Sequence, residues 1–583
     1  MMLRVSCGPQ FGKKGPRLMQ ADYILRGQVL SFTDTPFGGN SPEAAAELHE
    51  AVAIGGGKVL ELGAWEGLRK AHPAAELVDH GDRLILAGFV DAHVHFPQTA
   101  IIASWGKRLI DWLNSYTFPE EMRFGDRSYA DEIAGRYLDL TRANGTTTMC
   151  SYCTIHPESV DAFFAAAQAR SQRVVAGKTC MDRNAPDRLR DTAQSAHDDS
   201  AALIARWHGV DRLSYAITPR FSPTSTPEQL EAMGALWADH PDCLMQTHLS
   251  EQTDEIAWVK SLFPKARDYL DTYEQFGLLG ARGLYGHAIH LEDRERARLR
   301  EVGAALVHCP TSNTFIGSGL FDMAGLMAEG QRIGLATDTG GGSSFSMLRT
   351  MAAAYEVGQL RGTPLHAAQL LWLATQGSAR ALHMGDQIGN IAPGMEADLV
   401  VLDLASTPAI AQRSAGAKDL WEAVFATIMM GDDRAVAEVW INGARDWSPS
   451  RHEDKAREAL TRLCLRRGYL APEAGRSAVA RFGQLRQANC MRRVVAFWCR
   501  SKSPGRSMVA RVPSRMIWRP STKRCFTCAG PASNRAAGSQ LPLEATPVTS
   551  QMAISARLPT ASCPTSGRPS TSAPPRVAIS NAS

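Results

Sequence analysis

The chain has 583 residues, too many for one ordinary compact core but enough for a (β/α)8 barrel of about 250 residues with smaller modules beside it. Its 63 Lys+Arg against 59 Asp+Glu give a formal +4, so the whole chain does not read as a nucleic-acid binder. The 12 cysteines are thinly spread and point to a reducing, cytoplasmic setting, and the lack of about 18 uninterrupted apolar residues predicts no membrane span.

Residues 1–20 read as an irregular leader with basic residues and no apolar h-region, so a secretory signal is not expected. Residues 21–84 form the N-terminal part of a small β domain. Its strands Tyr23–Leu30 and Val52–Leu60 are predicted from short apolar runs, the second holding the turn signal Gly55-Gly56-Gly57. Asp82–Val90 is a further apolar run that leads into Asp91-Ala92-His93-Val94-His95.

From 85 to 388 short β-rich runs alternate with longer helical stretches. The runs include Thr146–Tyr152, Val174–Lys178, Tyr215–Thr218, Leu244–His248, Gly283–His287, Ala305–His308 and Ile333–Thr337. Each is apolar, as expected of strands buried on both faces. Ser159–Arg170, Thr226–His240 and Leu291–Val302 have helical spacing. About eight β-then-α units predict an α/β fold, a parallel (β/α)8 TIM-like barrel with its helices outside.

In 389–447 the pattern returns to strands, at Ala397–Leu402 and Ala437–Asn442. These are expected to join the N-terminal strands in a small β-sandwich-like domain. Residues 448–583 are rich in Arg, Ser, Pro and Ala, and Glu544 is the only acid between Arg476 and Ser583. The composition predicts a disordered basic tail. A nucleic-acid or membrane-surface arm, or a shifted reading frame, would give the same bias. The lone Cys525-Phe526-Thr527-Cys528 lacks the second pair that a structural zinc site needs.

The chemistry gathers on His93, His95, His248, His287 and Asp338. Each lies at or just past the C-terminal end of a predicted strand, the face where barrel active sites form. His93 and His95 are two apart, so both imidazoles point to one side of their strand. A lone histidine at a strand end is usually structural; five such groups on one barrel face suit a divalent metal. Such a metal brings the pKa of water toward about 7. Asp338 has oxygens to ligate and to accept the water's proton. Glu251, three residues after His248, is the candidate proton shuttle, although alone it would read as a helix N-terminal acid. His287 could hold the attacking water or the tetrahedral centre by hydrogen bond.

Phe89-Val90-Asp91-Ala92-His93-Val94-His95, Thr247-His248, Gly286-His287 and Ala336-Thr337-Asp338 resemble the amidohydrolase superfamily. Within it the chain is similar to guanine deaminases from about Ala21 to Trp447. The stretches that carry the likeness include His95-Phe96-Pro97-Gln98, Met181-Asp182-Arg183-Asn184-Ala185-Pro186, Ile217-Thr218-Pro219-Arg220-Phe221, Cys309-Pro310-Thr311-Ser312-Asn313 and Gly317-Ser318-Gly319-Leu320-Phe321. The resemblance implies one zinc per subunit, held by His93, His95, His248 and Asp338. It implies His287 as a catalytic neighbour and Glu251 and Asp338 as proton shuttles. Gln98, Arg220 and Phe221 would bind guanine beside His95, His248, Glu251 and Asp338, and water would be the second substrate. Their chemistry agrees: an amide that donates and accepts, a planar fork of donors, and a ring for the purine face. A homodimer is also implied. The sequence has Ala87-Gly88 where relatives often carry Pro-Gly, a departure that leaves the ligands untouched.

The alternative is another deaminase or chlorohydrolase of the superfamily acting on a related heterocycle, which would share the metal set but not Gln98 and Arg220-Phe221. A binuclear hydrolase would need a bridging lysine near the end of the fourth strand, and Tyr215–Phe221 offers none. A cytidine-type deaminase would need P-C-x-x-C after His156-Pro157-Glu158, and none follows.

Overall fold

The computed structural model describes residues 20–39, 41–106 and 108–449. The leader up to residue 19 and the basic tail from residue 450, with Cys525 and Cys528, lie outside the described residues.

The chain opens with β1 (Tyr23–Phe32), β2 (Ala46–Gly55), β3 (Lys58–Gly63) and β4 (Glu76–Ala87). The β2–β3 hairpin turns on Gly56 and Gly57, whose φ values of 57° and 76° only glycine adopts freely. The barrel strands are β5 (Phe89–His95), β6 (Thr146–Tyr152), β7 (Arg173–Gly177), a two-residue β8 (Thr179–Cys180), β9 (Leu213–Pro219), β10 (Leu244–Leu249), β11 (Gly283–His287), β12 (Ala305–His308) and β13 (Arg332–Leu335). Then come β14 (Leu399–Leu402), β15 (Val436–Ile441) and β16 (Ala444–Trp447).

Two sheets result. The first runs β16-β15-β14-β4-β1-β2-β3, so the chain's early and late strands interleave where β4 pairs antiparallel with β14. The second runs β13-β12-β11-β10-β9-β7-β6-β5, all neighbours parallel, and is a nearly closed eight-stranded barrel. Val90, Ala92, Cys150, Val175, Ala216, Leu244, Leu284, Ala305, Val307 and Ala336 fill its interior. Helices such as Arg127–Ala143, Pro157–Gln168 and Pro227–Asp239 bury their other faces outside.

The seam between β5 and β13 is closed by polar groups. The Asp91 carboxylate accepts from Thr337 N at 2.9 Å and Thr337 Oγ1 at 2.5 Å. Asp338 N donates to His93 O at 3.0 Å, and His95 N donates to Thr339 O at 2.6 Å. Burial pushes the Asp91 carboxyl up to about 7, against the hydrogen bonds from Thr337 and His93.

Two local features differ from the sequence reading. Asp82–Val90 is not one strand: the chain passes at Gly88 from β4 of the small sheet to β5 of the barrel. A Cβ at Gly88 would sit 2.2 Å from Thr147 Oγ1, so the crossing requires glycine. Between β14 and β15 the chain leaves the sheet for two helices, Pro408–Ser414 and Leu420–Met430, capped by Thr407 and Asp419. The second is so uniformly apolar that helical periodicity is masked. Among the described residues no helix is long and apolar enough to cross a membrane.

The small sheet is clamped to the N-terminal end of the barrel by Glu396, just before β14. Its carboxylate accepts from Arg173 Nε at 2.9 Å, Arg212 Nε at 3.1 Å and Arg212 Nη2 at 2.6 Å; Arg212 also pairs with Asp398. Burial alone would raise the Glu396 carboxyl, but the two guanidinium groups outweigh it and hold it at about 2. Its folded pKa lies below the unfolded value, so its stabilisation is present above about pH 4.5 and is lost as pH falls toward about 2. Glu396→Gln should destabilise the protein by about 3–5 kcal/mol at neutral pH, because it leaves buried Arg173 without its carboxylate and Arg212 with Asp398 alone. Thermal or urea unfolding across pH should show this deficit shrinking as the wild type is acidified.

Candidate active site

β5 carries His93 and His95 on one face, β10 ends just past His248, β11 ends on His287, and Asp338 follows β13. All five are at most 5% exposed apart from His248, which is partly buried as a whole residue. His95 Nε2 stands 3.2 Å from His248 Nε2 and 3.5 Å from Asp338 Oδ1. His93 Nε2 is 3.6 Å from the same Oδ1. His287 Nε2 lies 3.9 Å from Asp338 Oδ2 and 3.6 Å from Glu251 Oε2. The backbone is bent to achieve this. His287 and Asp338 hold φ of 68° and 49°, and Ser250 after β10 holds 49°, the left-handed region that non-glycine residues seldom occupy. Glycine makes the remaining space: a Cβ at Gly286 would sit 2.7 Å from His93 Cε1.

Electrostatics leaves these imidazoles neutral. Burial first, and neighbouring imidazoles second, push His93, His95 and His248 well below the ordinary histidine range. Burial brings His287 down to about 3. The tautomer of His248 is set from behind: its Nδ1 is 2.7 Å from the Arg220 carbonyl oxygen, which only accepts, so Nε2 keeps its lone pair for the cluster. Burial and the nearby Glu251 push the Asp338 carboxyl well above its ordinary range. Nε2 of His93 and of His287 have no hydrogen-bond partner among the described residues. The Asn313 amide nitrogen donates to His287 Nδ1, so His287 bears its proton on Nε2, while the neutral imidazoles of His93, His95 and His248 converging on the buried Asp338 carboxylate are a donor set that fits a divalent cation.

Beside the cluster lies a pocket lined by His95, Gln98, Leu109, Trp112, Leu113, Arg220, Phe221, His248, Glu251, Glu255, His287, Ile316, Asp338 and Gly341. Every residue expected to bind or shuttle reaches it, while His93 stands behind the cluster. Glu251 precedes the helix Thr253–Leu262 and does not cap it. Gln252 is the N-cap, and Glu255 Oε2 accepts from the backbone N of Glu251 and Gln252. The Glu251 side chain is therefore free to face the pocket, where Ser318 Oγ donates to its Oε1 at 2.8 Å. Burial pushes Glu251 up to about 7. Phe221 is 3% exposed and packs with Trp112, Leu113 and Phe118.

Sequence reasoning passed over several members. Asn313 Nδ2 is 2.9 Å from His287 Nδ1, and Ser318 holds Glu251; both stood in motif stretches without a role. Glu121, 1% exposed, joins Gln98 to Arg220 and carried no signal of its own. Its setting, Phe118-Pro119-Glu120-Glu121, reads as acids in a helix first turn.

Comparison with known proteins agrees with this fold. The amidohydrolase family profile matches residues 84–445, and this family's chemistry is metal-dependent. Guanine deaminase of Escherichia coli (strain K12) is 42% identical over 432 residues, covering 73% of this chain and 98% of its own. The solved structure of E. coli guanine deaminase superposes with a TM-score of 0.71, covering 73% of this chain and all of that one, at 41% identity. Guanine deaminase from C. acetobutylicum, with bound guanine in its active site, gives 0.67 at 27% identity, covering 73% of this chain and 100% of that chain. Barrel, polar seam and sequence identity along the described chain make this protein a member of the amidohydrolase family, within its guanine deaminase branch.

Proposed function

We propose that the protein is a zinc-dependent guanine deaminase that hydrolyses the 2-amino group of guanine to give xanthine and ammonia. The observation that carries this reading is one pocket in which Gln98, Arg220 and Phe221 face the histidine–aspartate cluster. The relatives named above supply the substrate by kinship.

His93, His95, His248 and Asp338 would hold one zinc per subunit. The separations of 3.2, 3.5 and 3.6 Å within the cluster bring these donor atoms close enough to share one cation. When bound, the metal supplies hydroxide at neutral pH by lowering the pKa of water from 15.7 toward about 7.

The protein's own groups do the rest. Asp338 accepts the proton of the attacking water. Glu251, raised to about 7, is matched to both giving and taking a proton near neutrality. It gives its proton to a ring nitrogen of guanine, takes another from the new C2 hydroxyl as the carbonyl forms and passes it to the departing amine, and the proton held by Asp338 returns to Glu251. His287 steadies the tetrahedral centre by hydrogen bond, with its Nδ1 held by Asn313. Phe221 packs on the purine face, and Leu109, Trp112 and Leu113 narrow access for bulk water. The homodimer and the cytoplasmic location belong to the same proposal. Five free, buried cysteines among the described residues suit a reducing compartment.

A panel of guanine, adenine, cytosine, ammeline and 8-oxoguanine on the zinc-loaded protein, read by ammonia release, should show guanine turned over best by a wide margin. A better rate on another member would overturn the substrate assignment. Glu251→Gln should keep its zinc and lose about 10²–10⁴-fold in kcat; normal turnover would remove Glu251 from the mechanism. Gly286→Ala pushes on the His93 ring and should weaken zinc retention about 10–100-fold, measured by chelator competition.

A further inference from the structure

Gln98 and Arg220 reach the pocket from the loops after β5 and β9, and a single carboxylate behind the wall ties them together. Glu121 Oε1 accepts from Gln98 Nε2 at 2.9 Å, and its Oε2 accepts from Arg220 Nη1 at 2.7 Å. Glu121 is 1% exposed and stands outside the set of pocket-lining side chains. Its neighbour Glu120 turns away to Arg123 and Tyr129. On the other side of the Gln98 amide, Gly340 N donates to Oε1 at 3.2 Å. A Cβ at Gly340 would sit 2.9 Å from the Gln98 carbonyl oxygen, so this backbone approach needs glycine.

These partners permit one orientation of the amide. A carboxylate only accepts, and a backbone N–H only donates. Flipping Gln98 would set its oxygen against Glu121 and its NH2 against the Gly340 N–H, losing both bonds to repulsion. In the fixed orientation one N–H and one lone pair remain for a ligand. The same carboxylate takes one donor of the Arg220 fork and compensates its charge in a buried wall, where an unpaired charge is costly. The pocket then presents directional donors and an acceptor without a net positive charge on this side. Such a wall suits a neutral heterocycle whose edge mixes donors and acceptors, in preference to the anion of that heterocycle.

We propose that Glu121 is a positioning and specificity-determining residue, which locks the Gln98 amide and the Arg220 fork and sets the pocket to take the uncharged base. The proposal rests on the guanine deaminase reading above. Glu121 touches no reacting atom, so its loss acts through binding.

The test uses full-length, zinc-loaded protein. Glu121→Gln should raise KM for guanine about ten- to hundredfold with kcat little changed and zinc content intact. That split is expected when a variant weakens the ground state and the transition state equally. Inhibition by the monoanion of xanthine should tighten relative to guanine binding, because Arg220 is left uncompensated. In a Gln98→Ala background the effect of Glu121→Gln on KM should shrink, since the two changes act on one network. An unchanged KM, a full effect in the Gln98→Ala background, or xanthine and guanine weakening in parallel would each overturn the proposal. Should Glu121→Gln fail to fold, Glu121→Asp, which keeps the charge and shortens the reach, decides it: raised KM with kcat preserved supports the role, and a wild-type KM overturns it. Failure of the wild type to deaminate guanine would instead sink the parent reading.

Discussion

The structure depends on closing a parallel barrel at the seam between β5 and β13 with hydrogen bonds that also align reactive groups. Asp91 holds Thr337, His93 O receives the Asp338 amide, and Thr339 O receives that of His95. The backbone bonds that shut the barrel therefore set the spacing between two imidazoles of one strand and a carboxylate of another. A buried, hydrogen-bonded Asp91 is costly to desolvate, and its three donors offset that cost. The site is then rigid because it shares its supports with the fold.

Burial sets the chemistry of the cluster. It keeps four imidazoles neutral and raises both Asp338 and Glu251 above the ordinary carboxyl range. Two carboxylates near each other then differ in environment: Glu251 leans on Ser318, and Asp338 faces the histidines. That difference in surroundings is how two acids of similar intrinsic strength come to serve different roles.

Much of this was legible in the sequence because its signals are local. Period two placed His93 and His95 together, and the short apolar runs marked the strand ends that gather His248, His287 and Asp338. The network behind the pocket was not legible. Glu121 lies 23 residues from Gln98 and 99 from Arg220, and no spacing rule links a short helix to two strand-end loops. Asn313 and Ser318 stood inside recognised stretches, yet their partners are set by folding of the loops after β12. The passage at Gly88 was hidden too, because an apolar run looks the same whether it serves one sheet or two. Leu420–Met430 was missed for the opposite reason: a stretch that is apolar on nearly every side shows little period.

The interleaving of the small sheet has a consequence for how the molecule is made. β4 is sandwiched between β1, synthesised early, and β14, which reaches the ribosome exit more than three hundred residues later. Until then β4 offers an unpaired edge to solvent, and Arg173 and Arg212 lack Glu396. Vectorial translation thus leaves the nascent chain with a sticky strand border until β14 emerges, a window in which holding chaperones would matter most.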